Sequence, residues 1–380
     1  MYLITLIQAA AIAFHILPVF ADLAKIPIIR PTGHYKVGAL DIKLEDKSRH
    51  DYFSPSESRK IVVTFHYPTD KTTAFLRPYI PFTIQPIVEA DYTIPPGELS
   101  RLVSNSYQYA IPAKLPSPAA IIFSPGFRSS RYLYTSLCED LASHGFVVIS
   151  IDHPYDALAV EYPGTNKTVL MHPSAGNATL DTIHPFHTQR AEDMTFLAGV
   201  LKDWLRRLEV HTESVNALKI GAFGHSLGGA TSAGAMQRTK LIQAGLNMDG
   251  FFVNGTTTDD AIKNVERPFV IMGAGKHNST SEKTWREWKK YQSWWYKELN
   301  LVDSGHLSYG DFGAFVEQLG LRDKMDKQFL EGYLGGLNGE RAVKVQREYI
   351  RDFFDWQLRG GKGEFFKQAQ KDFPEMVFME

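Results

Sequence analysis

The chain has 380 residues, 44% of them hydrophobic, which is enough to bury a sizeable core. Lys and Arg number 41 against 42 Asp and Glu, a formal net charge of −1. That balance, with no basic run, offers nothing to a polyanion, and nucleic acid is not an expected partner.

The chain opens on a targeting pattern. Met1 to Leu17 contains no Asp, Glu, Lys or Arg, and Pro18-Val19-Phe20-Ala21 supplies a Val-x-Ala cleavage pattern before Asp22. Residues 1–21 are therefore expected to be a signal peptide, with 22–380 forming one domain. The alternative is an uncleaved membrane anchor, for which the run is short and holds Gln8 and His15. Four Asn-x-Ser/Thr sequons, at Asn166, Asn177, Asn254 and Asn278, lie in polar, loop-like stretches and agree with export. Cys138 is the only cysteine, so no internal disulfide is possible, and its helical context reads as a buried small hydrophobe.

Tyr35–Gly38 and Lys60–Pro68 read as antiparallel strands opening a sheet. Residues 69–117, rich in Pro, are expected to form an irregular insertion or a cover over the sheet. From Pro118 strands alternate with helical segments. Ala119–Phe123 and Phe146–Asp152 are apolar runs suited to strands buried on both faces, and the segment between, Tyr132 to His144, is helical. A polar loop holding several histidines is expected over 153–187. Helix then follows from Thr188 to Leu208, with Met194, Leu197, Leu201 and Leu208 on one face. Strands at Leu218–Phe223 and Pro268–Met272 and a charged helix at Glu340–Leu358 complete the pattern. The alternation predicts an α/β fold with a mostly parallel central sheet and helices on both faces.

Gly224-His225-Ser226-Leu227-Gly228-Gly229 matches a G-x-S-x-G elbow, with an apolar strand running into it and small residues leaving it. The pattern marks Ser226 as a candidate nucleophile. A serine hydroxyl needs a base, expected downstream in the order Ser, Asp or Glu, His. Asp249, between an apolar stretch and Gly250, is the candidate acid, and His306, on a loop after Leu299–Val302, the candidate base. Asp259, Asp260 and Asp303 are rival carboxylates, and His277 and His225 rival histidines. An oxyanion hole requires two backbone N–H groups, and the candidates are Leu227 and Phe127 in the loop Phe123-Ser124-Pro125-Gly126-Phe127. His153, His172, His184 and His187 invite a metal reading. Pro185 is expected to break any helical His-x-x-His pair there, so neither metal nor cofactor is expected. Trp294, Trp295 and Tyr296 read as core rather than as an interfacial patch.

These stretches resemble the plasma and type II group of the platelet-activating-factor acetylhydrolase family, within the α/β-hydrolase superfamily. The matching segments are Gly33–Gly38, Val63–Pro68, Phe123–Phe127, Asp140–Phe146, Gly224–Thr231, Met248–Gly250 and Gly305-His306, spread over about 33 to 360. The resemblance implies the same nucleophile, acid and base (Ser226, Asp249, His306) and the same oxyanion donors (Leu227, Phe127). It implies metal-independent hydrolysis of a short or oxidised sn-2 acyl chain of a glycerophospholipid. The substrate would be met through transient contact with a membrane or lipoprotein surface. Family members carry His-Gly where this chain has Pro125-Gly126, and a smaller residue in place of Phe127. The alternatives are a general secreted carboxylesterase acting on small or polymeric esters and an inactive hydrolase-fold binding protein.

Overall fold

Side chains alternate across a strand, and the middle of this chain uses both faces. Every residue of Ala119–Ser124 is buried; Ile121 and Phe123 enter one apolar cluster while Ala120 and Ile122 enter another. The computed structural model describes residues 25–72, 75–115, 119–179, 181–210, 215–253 and 263–379. The candidate signal segment 1–21 therefore lies outside the described residues, as do Asn254, Asp259 and Asp260.

The principal strands are β1 (Lys36–Asp51), β2 (Ser54–Thr69), β3 (Ala119–Ser124), β4 (Val147–Asp152), β5 (Lys219–His225), β6 (Ile242–Met248), β7 (Phe269–Ala274), β8 (Tyr296–Leu301) and β9 (Met376–Met379). They lie in the order β1-β2-β4-β3-β5-β6-β7-β8-β9. The block from β4 to β8 is parallel, and β1, β2 and β9 pair antiparallel at the flanks. This is the mostly parallel sheet that the alternation predicts, in an α/β-hydrolase fold.

Helices α1 (Gln85–Asp91), α2 (Thr135–Ser143), α3 (His184–Arg207), α4 (Leu227–Arg238), α5 (Lys283–Tyr291), α6 (Phe312–Gln318), α7 (Lys327–Leu334) and α8 (Gly339–Arg359) cover it. Leu137, Phe315, Val343 and Phe354 from α2, α6 and α8 pack on one face. Met194, Leu197, Leu201, Met236, Trp285 and Trp288 from α3, α4 and α5 pack on the other. Among the described residues no helix is long and apolar enough to cross a membrane.

Three expectations change. The 69–117 segment is not irregular: Leu102–Gln108 joins the sheet parallel to β1, and Val88 of α1, with Ile84 just before the helix, packs into the core. Its strand is masked in sequence because the alternate buried positions are partly serine; the Ser106 hydroxyl donates to the buried Glu139 carboxylate at 2.5 Å. Within 153–187 a hairpin pairs Ala159–Glu161 with Thr168–Leu170. Pro185 does not break a helix but occupies the first turn of α3, where no N–H is needed, so the helix starts at His184 rather than Thr188.

A buried charge network ties β1, β2 and β4 together. Asp41 accepts from Arg77 at 2.7 Å, Thr64 at 2.5 Å and Arg131 at 3.2 Å, and Arg131 also pairs with Asp152. His66 is buried beside it on β2, and burial, with Arg77 and Arg131 nearby, lowers its pKa to about 3. A group whose folded pKa lies below its unfolded value of about 6.5 costs stability as the pH falls through that unfolded value. The stability of the wild type relative to His66→Gln should therefore decline as pH drops from about 6.5 toward 4. Denaturant melts of both proteins across this range check it; a constant difference would contradict the buried neutral imidazole.

Candidate active site

The register aligns strand ends. Phe223 and Gly224 of β5 lie opposite Phe123 and Ser124 of β3, and His225 opposite Met248 of β6. Three loops therefore meet at one carboxyl edge of the sheet, the usual place for ligands in open α/β sheets. Ser226 stands between β5 and α4 with φ 54° and ψ −126°, a region that non-glycine residues rarely occupy. Its N–H is held by Met248 O at 2.8 Å. A Cβ on Gly228 would come within 2.0 Å of Ser124 O, so α4 can leave this sharply only over a glycine.

Asp249 follows β6, also at positive φ (57°), a conformation that Asp tolerates. The Asn247 side chain fixes this turn, donating to Gly250 O at 2.7 Å and accepting from Gly250 N at 2.8 Å. The buried Asp249 carboxylate faces two imidazoles: His306 Nδ1 at 2.5 Å from Oδ2, and His277 Nδ1 at 2.7 Å from Oδ1. Ala274 N also donates to Oδ1, at 2.7 Å. Burial alone would raise the Asp249 carboxyl, but the bonds from His277 and His306 outweigh it and hold the pKa below the ordinary range.

The second nitrogens separate the two histidines. His277 Nε2 faces the Glu282 carboxylate at 3.3 Å. Two carboxylate neighbours are both satisfied only when both ring nitrogens carry protons. Burial opposes that charge, yet Asp249 and Glu282 raise the His277 pKa above its usual value. His277 is thus suited to be an imidazolium strut and not a proton acceptor. His306 donates Nδ1–H to Asp249, and among the described residues its Nε2 has no carboxylate opposite it. Its loop is anchored by Gly305 N to Leu334 O at 3.0 Å and by the α8 side chain Gln346, which donates to Ser308 O at 2.6 Å. The rings of His306 and His225, the neighbour of Ser226, are 4.5 Å apart. His225 itself turns away and meets the Tyr134 hydroxyl at 2.7 Å through Nδ1. Among the described residues no hydrogen bond joins the Ser226 hydroxyl to either imidazole; in unliganded hydrolases this contact often tightens only with substrate.

Leu227 N–H is the first of α4, at the positive end of the helix dipole. Phe127 N–H belongs to the loop after β3. Neither donates to another described group. The Phe127 ring packs on Phe186 at 5.0 Å, within a satellite apolar cluster that also holds Leu227, Val253, Phe53 and Phe251.

The rival Asp303 is exposed. The four histidines of the metal reading are spent elsewhere or dispersed: His153 lies between Ser124 and Asp193, and His172 caps Ser174. Asn166 and Asn177 are exposed and Asn278 is half-buried. Trp294 is 56% exposed, against expectation, while Trp295 packs against the core. Sequence reasoning weighed His277 only as a rival base and passed over Glu282 and Arg190. A His three residues beyond the end of the parallel strand β7 was the available signal.

Residues 23–176 match the family model described as platelet-activating factor acetylhydrolase, isoform II, a stretch that ends before Ser226. A probable 1-alkyl-2-acetylglycerophosphocholine esterase of Arthroderma benhamiae is 28% identical over 269 residues, 68% of this chain and 66% of that protein. The platelet-activating factor acetylhydrolase of Cavia porcellus is 24% identical over 286 residues, 63% of this chain and 64% of that protein. The chain thus spans just under two thirds of the length of each of these relatives. Among solved structures, a ferulic acid esterase from Streptomyces cinnamoneus superposes with a TM-score of 0.79 at 28% identity, covering 94% of this chain and all of that one. The chain is therefore an α/β-hydrolase related to the platelet-activating-factor acetylhydrolases.

Proposed function

We propose that this protein is a serine carboxylic-ester hydrolase that cleaves short or oxidised sn-2 acyl chains from glycerophospholipids. The observation that carries the reading is the convergence of a strained Ser226 with an Asp249–His306 pair at one sheet edge. In the proposed reaction Ser226 Oγ attacks the ester carbonyl carbon as its proton passes to His306 Nε2. The N–H groups of Phe127 and Leu227 receive the oxyanion. Collapse of the tetrahedral adduct breaks the bond to the leaving alcohol, which takes the proton from His306. Water, deprotonated by the same nitrogen, then releases the acid and restores Ser226. Asp249 holds the His306 tautomer throughout, and no step calls for a cofactor or metal.

A phospholipid substrate entails transient contact with a membrane or lipoprotein surface. The fit to a ferulic acid esterase over the whole of that chain favours a second reading, a general carboxylesterase for small or polymeric esters. Turnover of a platelet-activating-factor analogue against methyl ferulate under identical conditions separates the two. We further propose export, with Asp22 at or near the mature N-terminus and glycans on the sequons, of which Asn166 and Asn177 are exposed. N-terminal sequencing and a glycosidase mass shift check this; Met1 on an unglycosylated mature chain would contradict it.

Ser226→Ala and His306→Ala should each lower kcat by roughly 10³ to 10⁶ with the fold intact. His277→Ala, which removes a strut and no acceptor, should cost no more than about tenfold. Steady-state kinetics on p-nitrophenyl acetate decide it; an inactive His277→Ala beside an active His306→Ala would transfer the base to His277.

The Phe127 ring beside the proposed oxyanion donor narrows the acyl side. Overfilling such a space costs ~1–3 kcal/mol, whereas an open apolar pocket gains up to ~0.8 kcal/mol per methylene. Acetyl and butyryl esters should therefore turn over much faster than chains of roughly twelve or more carbons. Phe127→Ala should relax the preference and keep activity, because the N–H remains. A p-nitrophenyl ester series with its maximum at long chains would contradict the narrow site.

A further inference from the structure

Most of the backbone N–H groups in the loop after β3 are engaged. Gly126 N donates to the Tyr134 hydroxyl at 3.3 Å, Arg128 N to Asp156 Oδ1 at 3.4 Å, and Ser129 N to Gly126 O at 3.2 Å. Leu158 N donates to Arg128 O at 3.1 Å. The Phe127 N–H stands alone in this stretch as a donor with no described acceptor.

Two carbonyls of the loop point the other way, onto one side chain. Arg190, from α3, is 1% exposed; its Nη1 donates to Pro125 O at 2.7 Å and its Nη2 to Gly126 O at 3.0 Å. The guanidinium is held in turn by Asp156, through Nε to Oδ2 at 2.6 Å and through Nη2 to Oδ1. A planar fork gripped by a carboxylate has one orientation to offer, which a lysine cannot reproduce. In a trans peptide the C=O and N–H point in opposite directions across a rigid plane. Holding Gly126 O toward Arg190 therefore leaves the Phe127 N–H on the opposite side of that peptide, and Ser226 Cβ lies 3.6 Å from where a Gly126 Cβ would stand.

We propose that Arg190, fixed by Asp156, is a positioning residue that presents the Phe127 N–H to the oxyanion of the reaction. The inference rests on the Ser226 esterase reading above. The Asp156 carboxylate adds a second grip by taking the next N–H, Arg128, so the backbone is held on both sides of Phe127. Arg190 and Asp156 act through the Phe127 N–H and are assigned no contact with the substrate. Loss of this clamp should thus weaken binding of the charged tetrahedral state and spare ground-state binding.

The test is a pair of readouts on Arg190→Gln: kcat and KM for p-nitrophenyl acetate, and the inhibition constant of a phenylboronic acid, whose tetrahedral adduct mimics the oxyanion. The expected result is kcat lower by about 10- to 100-fold, KM within about threefold, and boronate affinity lower in step with kcat. Arg190→Lys, which keeps the charge without the fork, should rescue little. Loss of kcat with boronate affinity retained, or no loss of either, would overturn the proposal. Where Arg190→Gln does not fold, Arg190→Lys and Asp156→Asn are read by the same two measurements. Ser226→Ala run alongside separates the cases, since its turnover at wild-type level would sink the esterase reading and not the clamp alone.

Discussion

Everything at this site depends on one strained residue. Ser226 holds a backbone conformation that costs about 1–3 kcal/mol, and three neighbouring contacts keep it there. Met248 O accepts its N–H, Gly228 lets the helix run against Ser124, and Gly250 leaves room for Ser226 O, which an added Cβ would approach to 1.9 Å. That conformation sets Ser226 between β5 and α4, immediately before the first N–H of the helix.

The electrostatics are arranged around Asp249 rather than around the serine. One carboxylate serves two imidazoles on its two oxygens, and the second imidazole is braced by Glu282 and packed, tilted, at 4.5 Å against Trp285. The Trp285 indole also donates to Gly250 O at 2.7 Å, closing the turn that carries Asp249. His277 thus occupies the Asp249 oxygen that His306 does not use. Behind the loop after β3 a second buried set runs from Ser124 through His153 and Asp193 to Arg59 and Asp51. Such groups are costly to bury unless every partner is present. Here they join β2, β3 and α3 in one orientation.

The parallel strands were legible because a strand buried on both faces is a short apolar run, as at Ala119–Phe123 and Phe146–Asp152. The elbow was legible because its glycines are demanded by contact distances. The pairing of Asp249 with His306 was reachable from chain order and strand ends. The strand at Leu102–Gln108 was not, since its buried positions include Ser104 and Ser106, and the Ser106 hydroxyl finds its partner in a distant Glu139. The partnership of His277 with Asp249 and the grip of Arg190 on Pro125 and Gly126 were equally hidden. Each joins residues 28 or more apart in sequence through side-chain geometry that no local pattern encodes.

The central claim is that Ser226 is an activated nucleophile. Peptide mass mapping after treatment with a fluorophosphonate tests it most directly, because the reagent bonds only to a serine whose proton a neighbour removes. The account predicts one adduct per chain, on the peptide containing Ser226, and none when the protein is unfolded first. An unmodified Ser226 in the folded protein, or an adduct at another serine, would contradict it.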